Sequence, residues 1–179
     1  MRTFEKIDPT ELSLAPFAAI SQGWQLVCGV KPDGTYNALT ASWGALGTLW
    51  GMPVALCFIR SSRYTKEFID AGDKITFSLF SPDEHRDELM VMGRTSGRDC
   101  DKIAKAGLTV ATADGLPYFD AADAVLLGTK VFAQELDGDG FTAAGQELKL
   151  YDKNYVQNTD GMHTLYVARI DEVLVAEED

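Results

Sequence analysis

Apolar positions fall into six runs with strand character: Trp24–Val30, Asn37–Trp43, Val54–Arg60, Lys74–Phe80, Ala124–Leu136 and Thr164–Val175. They are rich in β-branched and aromatic residues and bounded by turn formers, which favours strand over helix. Lys31-Pro32-Asp33-Gly34 separates the first two runs with a turn composition, so they are expected to pair as a hairpin. Asp137-Gly138-Asp139-Gly140 punctuates the fifth run in the same way. Three shorter stretches have helical spacing. Tyr64–Ala71 sets Tyr64, Phe68 and Ala71 on one face and stops at Gly72. Asp83–Met92 carries acidic residues in its first turn, and Asp99–Ala106 runs into Gly107. The pattern predicts a mainly β fold with inserted helices. Strands do not alternate with helices of equal size, so a doubly wound parallel sheet is not favoured. Six long strands expose fewest edges when the sheet curls into a closed or split barrel.

Composition narrows the functional classes. A chain of 179 residues suits one domain spanning residues 1–179. The formal net charge of −11 argues against a nucleic-acid partner, which would favour a basic surface. The twelve N-terminal residues, MRTFEKIDPTEL, lack the apolar core of a signal peptide. No apolar stretch is long enough to span a bilayer, so no membrane partner is expected and the default location is cytoplasmic. Cys28 and Cys57 lie in apolar runs and read as buried, reduced thiols; with Cys100 the count is odd. No Cys-x-x-Cys pair exists, and His85 and His163 are the only histidines, so a structural zinc site is not expected.

Several common site motifs are missing. Gly44, Gly47 and Gly51 have the wrong spacing for a Rossmann fingerprint. No Walker A sequence is present, and Gly93-Arg94-Thr95-Ser96-Gly97 puts its serine one place late for a nucleophile elbow. The Asp137–Gly140 stretch lacks the later ligands of a calcium loop and reads as a plain turn.

The positive charge is unevenly placed. Phe58–Ile69 holds Arg60, Arg63 and Lys66, and Arg94–Lys105 holds Arg94, Arg98, Lys102 and Lys105. Seven of the sixteen basic residues therefore occupy two short islands. In so acidic a chain they suggest a bound anion, although solvated faces balanced by Glu67, Asp99 and Asp101 would look alike. Arg60, Ser62, Arg63 and Thr65 stand between a strand end and a helix start. Arginines can grip phosphate oxygens bidentately, hydroxyls add neutral donors, and a helix start adds backbone N–H groups. Ser62 and Thr65 could equally serve as helix caps. In the second island Gly97 permits a tight turn and Lys102 sits early in the following helix. Upstream, the small residues Thr40-Ala41-Ser42 would let a flat ligand lie close to the backbone. Trp43 and Trp50 could stack on a planar ring or fill a core. His163 opens the last strand, as a structural hydrogen bonder or a catalyst.

Four blocks carry a family resemblance: Asn37-Ala38-Leu39-Thr40-Ala41-Ser42-Trp43-Gly44; Pro53-Val54 with Phe58-Ile59-Arg60-Ser61-Ser62-Arg63-Tyr64-Thr65; Ser96-Gly97-Arg98-Asp99 with Asp101-Lys102; and His163-Thr164-Leu165-Tyr166. With them the chain resembles the flavin reductase-like, FMN-binding split-barrel family, in particular its flavoredoxin-like branch, from about Gln25 to Val173. The resemblance implies a split β-barrel, a homodimer and a noncovalent FMN near the subunit interface. It implies that Thr40, Ala41, Ser42 and Trp43 line the flavin ring, that Asn37 also contacts the cofactor, and that Arg60, Ser62, Arg63 and Thr65 hold the phosphate. Ser96, Gly97 and Lys102 would close over the flavin, and His163 would sit near its reactive face, where a nicotinamide could dock. Relatives commonly follow the histidine strand with Gly-Glu-Val, whereas this chain has Ala168-Arg169-Ile170, a departure expected to fall at the substrate end of the site. The implied activity is NAD(P)H-dependent reduction of a flavin or another small acceptor, with NADH or NADPH as donor and FMN as cofactor. The alternatives are an FMN electron carrier without its own NAD(P)H site, a haem-binding split barrel using His85 or His163, and a cofactor-free homologue.

Overall fold

The computed structural model describes residues 2–82, 84–148 and 162–177. Its strands, in chain order, are β1 Phe4–Ile7, β2 Gln25–Val30, β3 Tyr36–Ala41, β4 Gly44–Leu49 and β5 Met52–Arg60, then β6 Lys74–Leu79, β7 Val110–Ala113, β8 Leu116–Phe119, β9 Ala124–Glu135 and β10 His163–Ala176. The helices are α1 Thr65–Ala71, α2 Arg86–Arg94, α3 Lys102–Ala106 and α4 Ala143–Glu147. The main sheet runs in the order β3-β2-β6-β9-β10-β5-β4, with β1 added to β10, and β7–β8 forms a separate hairpin. Every strand pair is antiparallel.

Alternation along the strands builds two cores. Val27, Leu39, Cys57, Ile59, Phe77, Leu126 and Tyr166 share the inner one. Leu26, Cys28, Val125 and Leu127 point the other way and pack with Leu89 and Met92 of α2 and with Tyr118 and Phe119 of β8. Both faces of β2 are therefore covered, which explains why Gln25–Val30 is buried throughout. Helix α1 closes one end of the inner core through Ile69. A Cβ on Gly29 would stand 2.6 Å from the Ile69 backbone nitrogen, so a glycine is what admits α1 at this distance.

The six expected strands are all present, with shifted ends. Trp24 has φ 65°, so β2 starts one residue later than the apolar run. Asn37–Trp43 stops pairing at Ala41. The strand expected from Val54 starts at Met52 because Trp50 (φ 52°) and Gly51 (φ 74°) make a two-residue turn of the hairpin type. Its partner β4 had no periodic signal, since Gly44 and Gly47 break the apolar pattern. The Lys31–Gly34 hairpin forms as expected, with Gly34 at φ 84°. Helix α2 runs Arg86–Arg94 rather than Asp83–Met92, and Asp83 lies outside the described residues. Helix α3 starts at Lys102, not Asp99, because the Asp101 side chain accepts from the backbone N–H of Ile103 and Ala104, each at 3.1 Å, and caps it there.

The strand order fixes the shape. β3 and β4 are the opposite ends of the path, yet only Ser42 and Trp43 lie between them. Three peptide steps reach about 11 Å at full stretch, so the two edges must curl together at this point. The sheet is a split barrel, and its seam carries Ser42 and Trp43. Among the described residues no helix is long and apolar enough to cross a membrane.

Candidate functional site

A cleft with about 430 Å³ of open space lies at the seam. Thr40, Ala41, Ser42 and Trp43 come to it from the end of β3 and the link beyond, Arg60 from β5, Arg63 from the turn before α1, and His163 from the start of β10. The β5–β10 register sets Arg60 directly opposite His163. Seven of the thirteen sequence-predicted site residues thus meet in one place. Leu39, Phe58 and Ile59 complete the lining and were not predicted. Phe58 carried a signal: Cys57 and Ile59 are buried in the inner core, so alternation turns Phe58 outward, where a large apolar side chain needs a partner.

Trp43 and Trp50 are not core residues. Trp43 is 46% exposed, and its ring lies 4.5 Å from that of His163 at an interplanar angle of 31°. Trp50 is 60% exposed at the β4–β5 turn, edge-on to Phe132. His163 itself is buried. That burial, helped by the Arg60 charge, pushes its pKa from 6.5 down to about 4, so the imidazole is neutral at physiological pH.

Asn37, Gly97 and Lys102 line a second cleft, with about 990 Å³ of open space, between the β2–β3 hairpin, α1 and α3. Lys31, Tyr36 and Tyr64 share it and were not predicted as site residues. The Lys102 side chain lies at the base of this region, only 3% exposed. Its ammonium donates to the Met92 carbonyl at 3.2 Å, the one hydrogen bond it makes among the described residues. Burial first, and then the Arg63 charge, pull its pKa from 10.5 down to about 8. Arg63 therefore faces the first cleft while its charge is felt in the second.

Ser62, Thr65 and Ser96 line neither cleft. Ser62 is exposed in the turn before α1. Thr65 is 1% exposed, and its hydroxyl accepts from Asn37 Nδ2 at 2.9 Å. The Ser96 hydroxyl accepts from the Arg98 backbone N–H at 3.2 Å. The start of α1 is also partly spent, because the N–H groups of Lys66 and Glu67 already bond the carbonyls of Arg63 and Tyr64.

The two basic islands are joined through neutral and acidic groups. Arg98 pairs with Glu67 and lies over the Tyr64 ring, 4.6 Å from its centroid. Gly97 packs so closely that a Cβ there would stand 2.7 Å from Asn37 Oδ1 and 3.1 Å from the Tyr64 ring. The departure at Ala168-Arg169-Ile170 does not fall at this site. Arg169 pairs with Val54 and Thr129, six residues along β10 from His163, or about 20 Å on strand geometry. Its guanidinium bonds Asp171 at 2.6 Å, so the expectation of an altered substrate end is corrected. His85 lines neither cleft; it packs edge-on to Phe80 ahead of α2. A third hollow, about 1020 Å³, shares Ser42, Trp43 and Phe58 with the first cleft and adds Phe17, Ile20 and Phe141.

Comparison with known proteins follows this geometry. Among curated proteins none matches the sequence significantly. Among solved structures, an FMN-binding domain of a flavin reductases-like enzyme from Shewanella baltica aligns at a TM-score of 0.66 and 13% identity, over 98% of this chain and 78% of that one. A flavoredoxin of Desulfovibrio vulgaris aligns at 0.63 and 20%, over 93% and 77%. An NADH:FAD oxidoreductase from Streptomyces globisporus, in complex with NAD and FAD fragments, aligns at 0.60 and 13%, over 87% and 81%. At these identities the likeness is one of fold. The family model for the flavin reductase like domain matches residues 17–179, and the chain belongs to the flavin reductase-like family.

Proposed function

We propose that the protein is an FMN-dependent oxidoreductase that takes reducing equivalents from NADH or NADPH and passes them to a flavin or another small acceptor. The observation that carries this reading is the convergence of a small-residue wall, two arginines and the Trp43–His163 pair on one cleft at the barrel seam. Those residues fit FMN. Arg60 and Arg63 supply the planar cations that phosphate favours. Ala41 and Ser42 present little side-chain bulk, so a flat ring can lie along the backbone. Bound there, FMN would supply the hydride and electron chemistry. The protein's part is to bind, orient and exclude water. His163, neutral and buried against Trp43, is suited to orient a ring by hydrogen bonding and not to act as a cationic acid at neutral pH. The apolar hollow beyond Trp43 and Phe58 offers the acceptor or the nicotinamide a place beside the flavin cleft.

The active unit in this reading is a homodimer. Support comes from Leu49, Trp50, Val131 and Phe132, large apolar side chains exposed around the Trp50–Phe132 contact. Trp50→Glu would then halve the mass measured by light scattering. The free thiols Cys28, Cys57 and Cys100 suit a reducing compartment such as the cytoplasm.

The decisive experiment is stopped-flow mixing of flavin-loaded protein with NADH and with NADPH. Bleaching of the blue flavin band by either supports the reductase. A flavin band that neither donor bleaches would make the protein an electron carrier, and a Soret band in the purified protein would replace flavin by haem.

A further inference from the structure

A buried polar group without a partner lies inside the barrel, behind the wall of the first cleft. Gln25 opens β2 and is 2% exposed. Val27, two residues on, belongs to the inner core, so alternation turns Gln25 inward as well. Its cross-strand neighbours, Ala41 on β3 and Leu79 on β6, are inner-core residues too. Among the described residues its buried Nε2 donor finds no acceptor. An unmade hydrogen bond in a core costs stability, so its retention calls for a use.

The amide is aimed at the seam. It reaches from β2, which pairs with one edge strand, to β4, which is the other edge. A Cβ on Gly44 would stand 2.9 Å from Nε2 and 2.6 Å from the Leu56 carbonyl oxygen, so a glycine at the start of β4 is what gives the amide room. Ala41 pairs with Gln25 and Gly44 lies beside its amide; Ser42 and Trp43, which join those two residues, therefore pass close to the donor. Among the described residues neither Ser42 nor Trp43 makes a hydrogen bond. The link thus carries unbonded carbonyls past an unbonded donor on its inner side, with the first cleft on its outer side.

We propose that Gln25 is a positioning residue for the flavin: a ring lying along Ala41 to Trp43 presses the link inward, and the Gln25 amide then donates to a link carbonyl and holds the wall against the ring. This rests on the reading of the first cleft as the flavin seat. Gln25 itself touches no ligand and acts through the link. Its donor is a cost in the flavin-free protein and is used in the flavin-bound one.

The test is Gln25→Met, which keeps similar volume and removes the donor. Without flavin, the variant should melt at or above the wild-type Tm. Its FMN affinity, by fluorescence titration, should fall about tenfold, the worth of one hydrogen bond. Lumiflavin, which has the ring and no phosphate, should lose affinity by the same factor. Three results overturn the proposal: a lower Tm without flavin, unchanged FMN affinity, or a loss confined to FMN, which would put the effect at the phosphate end. Should the variant fail to fold, the wild type decides by NMR. A Gln25 side-chain amide proton should then move downfield when lumiflavin is added, and a signal that stays in place refutes the hydrogen bond. Wild type that binds neither flavin removes the flavin reading and this proposal together, whereas wild type and variant that bind flavin equally remove the proposal alone.

Discussion

Lys102→Met should stabilise the ligand-free protein, although it removes a buried hydrogen bond. The Lys102 ammonium titrates near 8 in the fold and near 10.5 when unfolded. Holding it charged at pH 7 therefore costs roughly 3 kcal/mol. Methionine fills similar volume without the charge and has similar helix propensity. Losing the charge-assisted bond to the Met92 carbonyl returns about 2 kcal/mol of the gain. A net stabilisation of about 1 kcal/mol remains, which for a chain of this length raises Tm by roughly 2–4 °C. The sign with pH follows from the lowered pKa. Below 8 both states hold the proton and the full cost is present. Between 8 and 10.5 only the unfolded chain holds it, so the cost fades as pH rises. The gap between variant and wild type should shrink by roughly 1 kcal/mol between pH 7 and pH 9. The Cys28 thiol, pushed up to about 12 by burial, costs stability only as pH passes the unfolded value of 9. Urea unfolding of both proteins at the two pH values measures the gap. A variant less stable at pH 7, with a gap that does not move with pH, would refute the account of Lys102 as an uncompensated buried cation.

Other substitutions test the seam. Arg60→Ala with Arg63→Ala should weaken FMN by at least 100-fold in a fluorescence titration, since charge-assisted phosphate contacts contribute ~1.5–3 kcal/mol each; unchanged affinity removes them from the phosphate seat. Gly97→Ala would set a methyl group 2.7 Å from Asn37 Oδ1. It should cost about 1–3 kcal/mol in urea unfolding, and a neutral outcome would mean that the loop does not need to dock there. Because His163 is neutral down to about 4, the rate of flavin bleaching should show no inflection from that imidazole between pH 5.5 and 7.5. Its lowered pKa also means that stability falls as pH drops from 6.5 toward 4, while the unfolded imidazole gains a proton that the folded one refuses. His163→Gln should remove that part of the acid sensitivity, as followed by thermal melts at pH 7 and pH 5.

Strand periodicity made most of the barrel legible, because its strands bury alternate residues in the inner core and the signal survives in Val54–Arg60 and Lys74–Leu79. Most of the seam's lining was legible too, since arginines, small residues and a histidine announce themselves by type. Tertiary pairing was not. Thr65 has the composition of a phosphate donor, but Asn37, twenty-eight residues earlier, takes its hydroxyl into the interior. Arg169 lies near His163 in sequence, and an extended strand turns that into a separation of about 20 Å. The division of the expected site into two clefts depends on β3 running from one to the other, with Asn37 at the second cleft and Thr40 to Ala41 at the first. Most of all, the reason for the site's location was hidden by one unread strand. Gly44–Leu49 has no apolar alternation, yet as β4 it is the far edge of the sheet. Once it is known to pair with β5, the short link from β3 forces both edges together. The small residues, the arginines of the β5 end and the first residue of β10 then have only one place to meet.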